Sequence, residues 1–242
     1  MAAREIRYDN NIFLISYDIV HPTNTKSIVI LHGWGSNKEI MKKAFGALLP
    51  KWRHIYIDMP GFGKSTNPTI LTTEKYSQIL TLFLEEIGVK PMVVVGHSFG
   101  GKVATLLNPE CLILLSSSGI LVPKSWSIKA KIAIFKLLKP FGFGKIRNFF
   151  ISSDAKGMNH EMYETFKNVV NEDFENSFAN FKNKALLFWG KDDTATPLWT
   201  AKKISTLIEN TTLYPLDGGH YFFLEHVPFI TEIITKTCKE QH

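Results

Sequence analysis

Five short, almost unbroken apolar runs constrain the fold of this 242-residue chain most: Ser27–Leu31, His54–Ile57, Met92–Val95, Leu112–Leu115 and Ala185–Trp189. A strand with one face in water alternates apolar and polar side chains. These runs do not alternate, so both of their faces must be covered, as in a parallel sheet between two layers of helices. The intervening residues supply the helices. Tyr76, Ile79, Leu80, Phe83, Leu84 and Ile87 fall on one stripe of a helix predicted over Thr73–Ile87, and Gly88 ends it. Ahead of all this, residues around Arg4–Tyr8 and Asn11–Val20 read as an antiparallel pair turning at Asp9-Asn10.

Strand and helix in repetition predict an α/β architecture: a mostly parallel sheet with right-handed crossovers and a site at the carboxyl ends of its strands. The alternation breaks between about Gly119 and Lys182, where amphipathic helical patterns follow one another without a strand. The expected organisation is a core of residues 1–118 and 184–242 with a helical cap, 119–183, inserted. The last helix is expected to run from near Pro228 to the C-terminus.

The Met1–Asp9 start has no apolar leader and no uncharged apolar run reaches membrane-spanning length, so a soluble, cytoplasmic chain without stable membrane association is expected. Cys111, read as following a helix, and Cys238 form no CxxC pair and are expected as reduced thiols. The net charge of +6 is local. Lys124, Lys129, Lys131, Lys136, Lys139, Lys145 and Arg147 lie between Gly119 and Ser153 with no acidic residue among them, leaving the rest of the chain near −1. No nucleic-acid partner is expected. From Trp126 to Phe150 those cations interleave with apolar residues, a pattern with three readings: a cap with solvated lysines and an apolar pocket face, a docking surface for an acidic acyl carrier protein, or a transient membrane contact.

The chemistry is written at the ends of the apolar runs. Gly96-His97-Ser98-Phe99-Gly100 follows the strand Met92–Val95 and precedes the helical start Gly101-Lys102-Val103-Ala104, the strand–turn–helix setting in which a serine is exposed on a tight turn as a nucleophile. A serine hydroxyl needs a base and a place for the oxyanion it generates. His32-Gly33-Trp34-Gly35 ends an earlier strand, and the backbone N–H groups of Trp34 and Phe99 are assigned as the oxyanion hole. Gly190-Lys191-Asp192-Asp193 supplies the acid at another strand end, with Asp192 and Asp193 both open on spacing alone; Asp217 would break the expected separation of the acid from the histidine's strand. Asp217-Gly218-Gly219-His220 supplies the base, and the order serine, acid, histidine is that of this fold. His32 and His97 are expected to support loops, and His226 to lie on the surface. Gly63-Lys64-Ser65 imitates the end of a P-loop, but Asp58 stands where that motif needs glycine, and no zinc-type spacing of His and Cys is present.

Together the H-G-W-G loop, Asp58-Met59-Pro60-Gly61-Phe62-Gly63-Lys64-Ser65, G-H-S-F-G-G, W-G-x-x-D-x-x-x-P and G-G-H resemble the α/β-hydrolase superfamily over nearly the whole chain. The resemblance implies Asp193 as the acid, since the family's acid stands three residues after the glycine and four before the proline. Within the superfamily the pattern looks like carboxylesterases of the pimeloyl-acyl-carrier-protein methyl esterase type. It implies a serine esterase with Ser98, Asp193 and His220 as its catalytic set, a small-molecule ester as substrate, and no metal or organic cofactor. A carbon–carbon bond hydrolase of the meta-cleavage-product type shares these motifs, and a catalytically silent binding protein of the same fold is the reading from another class.

Overall fold

A computed structural model describes residues 2–123 and 158–238. The chain opens with β1 (Ala2–Tyr8) and β2 (Asn11–Val20), paired antiparallel from Ala2 opposite Tyr17 to Tyr8 opposite Asn11. The turn between them takes positive φ at Asp9 (51°) and Asn10 (61°), the left-handed pair whose twist matches a hairpin and which Asp and Asn tolerate. Then follow β3 (Ser27–Leu31), α1 (Lys38–Phe45), β4 (Arg53–Ile57), α2 (Thr73–Glu86), β5 (Val93–His97), α3 (Phe99–Leu106) and β6 (Cys111–Leu115). After β6 come α4 (His160–Val170), α5 (Glu175–Asn180), β7 (Lys184–Gly190), α6 (Leu198–Leu207), β8 (Thr211–Leu216) and α7 (Phe223–Thr237).

The strands form one eight-stranded sheet in the order β1-β2-β4-β3-β5-β6-β7-β8, antiparallel only where β2 meets its neighbours. Strand burial explains the unbroken apolar runs. Val29, Leu31, Val94, Leu112, Leu114 and Leu187 enter the core shared with α2, α3 and α6. Their alternates Ile28, Ile30, Val93, Val95, Ile113 and Leu115 enter a second core with α1 and α7 on the other face. At ~25 cal/mol per Å² of apolar surface, these two cores supply the main favourable term in folding. Because β4 and β5 lie on opposite sides of β3, the strand order reverses there, and a crevice opens beyond the carboxyl ends of β3 and β5.

Of the expected cap, residues 158–183 are described and carry α4 and α5; residues 124–157, which hold the basic stretch from Trp126 to Phe150, lie outside the described residues. Two expectations are corrected. The last helix starts at Phe223, five residues before Pro228, because a first helical piece precedes a break at His226 (φ −115°, ψ 15°) and Pro228, which has no N–H to donate, belongs to the second piece. Cys111 follows α3 as expected and opens β6, but it is disulfide-bonded to Cys238 at the end of α7, where reduced thiols were expected. Both residues lie in the core that packs α7 on the sheet, with Cα atoms 6.1 Å apart, and their separation of 127 positions gave no hint of this. Among the described residues, no helix is long and apolar enough to cross a membrane.

Candidate active site

Ser98 sits between β5 and α3 at φ 51°, ψ −117°, a backbone conformation that costs a non-glycine residue about 1–3 kcal/mol and persists only where its surroundings enforce it. The enforcement is visible. Ser98 N–H donates to Leu115 C=O (3.1 Å), and Ser98 C=O accepts from the N–H groups of Gly101 (3.0 Å) and Ser118 (3.1 Å), so the end of β6 grips the turn. Two glycines make the turn possible. A Cβ on Gly96 would stand 2.3 Å from Gly100 C=O, and one on Gly100 would stand 2.5 Å from His32 C=O, both of them backbone atoms.

The loop after β3 is held by His32, which is fully buried. Its Nε2 accepts from Met59 N–H (3.1 Å), so the proton is on Nδ1, which donates to Gly33 C=O (2.7 Å). Burial pushes the imidazole down to about 4 and keeps it neutral. Gly33 C=O and Trp34 N–H belong to one peptide plane and point in opposite directions, so anchoring the carbonyl fixes the amide. Neither Trp34 N–H nor Phe99 N–H donates to a loop or turn carbonyl among the described residues. The Trp34 ring packs against Phe62, Phe99 and Phe166 at centroid distances of 4.8–5.4 Å.

The Asp58–Ser65 segment buttresses this loop. Asp58 is buried and accepts from Lys38 N–H (2.8 Å), Lys38 Nζ (2.7 Å) and Lys64 N–H (3.1 Å). Burial alone would raise its carboxyl, but these donors hold it below the ordinary range. The segment that imitated a P-loop is thus a carboxylate-centred clamp between α1 and the loop after β4.

Beyond β7 and β8 the residues expected as acid and base, Asp193 and His220, meet. Gly190 and Gly219 pack so closely that a Cβ on Gly190 would lie 2.3 Å from Gly219 C=O, which brings the two loops together. His220 Nδ1–H donates to Asp193 Oδ2 at 2.8 Å. Asp193 is buried and saturated: Oδ1 accepts the N–H groups of Ala195 and Thr196, both at 2.9 Å, and Oδ2 also accepts Thr196 Oγ1 at 2.8 Å. Burial opposes its ionisation, yet the bonds from His220 and Thr196 outweigh it and bring the carboxyl down to about 2. Asp192 is exposed and uses only its N–H here, toward Gly218 C=O, while exposed Asp217 pairs with Lys191 (2.7 Å). His226 is also exposed.

With its proton on Nδ1, His220 keeps an Nε2 lone pair free to accept one. Ser98 and His220 face the same cavity of about 550 Å³, together with Trp34 and Phe99, although no hydrogen bond joins the two among the described residues. Ile120, Phe166 and Val169 give the cavity an apolar wall, and Lys102 and Glu172 a charged one. That pair was not foreseen. Lys102, one helical turn beyond Ser98, is buried and donates to Val169 C=O (2.6 Å) and Glu172 Oε2 (2.7 Å), fastening α3 to the end of α4. Its place four residues after Ser98 was the one signal that it faces the same side of α3. His97, expected as a loop support, donates from Nε2 to His220 C=O at 2.9 Å.

A reversed strand order, a strained serine between β5 and α3, and a carboxylate–imidazole pair beyond β7 and β8 define an α/β-hydrolase-fold protein. Residues 26–139 match the family model described as alpha/beta hydrolase fold. An uncharacterized hydrolase of Bacillus subtilis (strain 168), YugF, is 27% identical over 257 aligned positions covering 93% of this chain and 94% of that protein. A pimeloyl-[acyl-carrier protein] methyl ester esterase of Photobacterium profundum is 35% identical over 86 residues, covering only 34% of this chain and 32% of that protein. Among solved structures, the esterase EaEST from Exiguobacterium antarcticum superposes with a TM-score of 0.77 at 21% identity, over 99% of this chain and 100% of that one.

Proposed function

We propose that the chain is a serine hydrolase that cleaves a carboxylic ester through an acyl-enzyme. The observation that carries the reading is the His220–Asp193 pair at 2.8 Å with Ser98 strained into the same cavity. In this reading Ser98 Oγ attacks the ester carbonyl while His220 Nε2 takes its proton, and the Asp193 carboxylate stabilises the imidazolium that forms. The amides of Trp34 and Phe99 receive the developing oxyanion, each contributing about 3 kcal/mol in the transition state. His220 returns the proton to the leaving alcohol, and a water activated by the same imidazole releases the acid.

Turnover of p-nitrophenyl butyrate with an initial burst, and labelling of Ser98 by a fluorophosphonate, are expected of the native protein and not of Ser98→Ala. A native protein that neither turns over the ester nor reacts with the probe would refute the proposal. A ring-cleavage diketone assayed beside the ester separates carbon–carbon bond hydrolysis, which would use the same residues.

The basic stretch and the similarity to the pimeloyl-carrier-protein esterase over about a third of the chain support a narrower substrate, an acyl ester on an acidic carrier protein. Reversing Lys131, Lys136 and Lys139 to Glu should then slow hydrolysis of a carrier-bound ester at low salt while sparing a small one. Equal losses on both substrates, or none, would remove the carrier from the proposal.

A further inference from the structure

Resting on the esterase reading, we infer that His97 is the positioning residue for the base: its Nε2–H holds the backbone of His220 so that the imidazole stays between Asp193 and Ser98.

The argument starts from the turn that carries His220. Gly218 and Gly219 precede it, Gly218 at a φ of 111°, and no side chain of theirs anchors the segment. Backbone partners hold two of its three carbonyls: Gly218 C=O accepts from Asp192 N–H and Gly219 C=O from Phe222 N–H, both at 3.0 Å. The third, on His220 itself, accepts from His97 at 2.9 Å. A carbonyl only accepts, so His97 carries its proton on Nε2. Its Nδ1 is then a bare lone pair, buried and without a partner, lying where a Cβ on Gly33 would come within 2.9 Å. The ring is 99% buried and packs at 4.7 Å from the His220 ring and at 4.9 Å from that of Phe223. Burial, reinforced by nearby His220, brings its pKa down to about 3, so the donor persists across the working range of an esterase.

One side chain therefore touches three parts of the site: it precedes the nucleophile in sequence, holds the base by its carbonyl and abuts the oxyanion loop at Gly33. A second imidazole so close to Ser98 would otherwise compete as a base. Burial leaves the bare Nδ1 too weakly basic for that role, and commitment of Nε2 to a carbonyl gives His97 another.

The test uses side chains of graded reach. Glutamine ends its amide near the level of Nε2, asparagine near Nδ1, and leucine offers no donor. With p-nitrophenyl butyrate, His97→Leu and His97→Asn should lose about 100-fold in kcat with KM within about twofold, the loss expected for a misplacement on the order of 1 Å. His97→Gln should recover to within about fivefold of native. Leucine activity within about threefold of native, or glutamine as inactive as asparagine, would overturn the inference. If the leucine variant fails to fold, the two amides carry the comparison. Native protein without turnover or Ser98 labelling would instead refute the esterase reading, so the two failures are distinct.

Discussion

Asp193→Asn tests the site most sharply, because the structure dictates which way the new amide must face. Asp193 Oδ1 accepts two backbone N–H groups, from Ala195 and Thr196 at 2.9 Å, and both are donors only. In the variant the amide oxygen must stay with them, since turning it away would set the amide nitrogen against two donors and cost about 1–3 kcal/mol for each group left unpaired. The nitrogen is therefore directed at His220 Nδ1, 2.8 Å away in the native protein, and at Thr196 Oγ1, which can accept. Two N–H groups cannot face each other, so His220 moves its proton to Nε2 and can no longer take one from Ser98.

The expected loss is that of a base in the wrong tautomer, about 10⁴-fold in kcat, or about 5.5 kcal/mol at 1.36 kcal/mol per decade. KM for p-nitrophenyl butyrate should change little, because the cavity wall is untouched. The fluorophosphonate labelling rate should fall with kcat, since both need an activated Ser98. A variant that retains more than about a tenth of native kcat with an unchanged thermal midpoint would refute the assignment of Asp193.

The same carboxylate makes stability depend on pH. Its folded pKa of about 2 lies below its ordinary 3.8, so its contribution is fully present above about pH 4 and is lost as pH falls through 2; the stability gap between native and Asp193→Asn, from urea titrations, should close over that window. Gly100→Ala should destabilise by about 3 kcal/mol or more in the same assay, because the added Cβ meets the carbonyls of His32 and Leu31 at 2.5 and 2.9 Å and no side chain can move aside. Lys102→Met should cost about 2–4 kcal/mol, partly restored by adding Glu172→Gln, since Val169 C=O and the Glu172 carboxylate lose their shared buried donor and the neutral amide removes the unpaired charge. A Cys111–Cys238 bond closing 127 residues should leave no free thiol in unreduced, denatured protein, and reductant should lower the melting temperature of the native chain but not of the double serine variant, a difference of about 3–5 kcal/mol.

The strands were legible because each is a short apolar run whose neighbours cannot continue it, and the structure matches Ser27–Leu31 to the residue. Their order was not. Nothing in the sequence of β2 says that it pairs with β4 rather than with β3, the next strand along the chain, since pairing depends on complementary edges and on crossovers that carry no local pattern. The start of α7 was misread for a related reason. Pro228 is a strong local signal, whereas the turn of helix before it is stabilised by the burial of Phe223 and Val227, a tertiary effect.

Within the site, the legible parts are those where backbone approaches backbone. Gly96, Gly100 and Gly190 stand where any side chain would collide with backbone, the last against the carbonyls of Gly218 and Gly219 where the Asp193 and His220 loops join, so these glycines in the sequence record the packing of the folded site. Contacts made by side chains across the chain leave no such record. His97 reaches a carbonyl 123 positions away, and Lys102 one 67 positions away. The wall formed by Phe166 and Val169 has in the sequence only the apolar period of any amphipathic helix, and that period states which face is buried without stating against what. Reaction type is therefore more legible than substrate in a chain of this kind. The chemistry needs strained backbone, and strain selects glycine at fixed spacings; selectivity needs only a shaped apolar surface, which many sequences supply equally well.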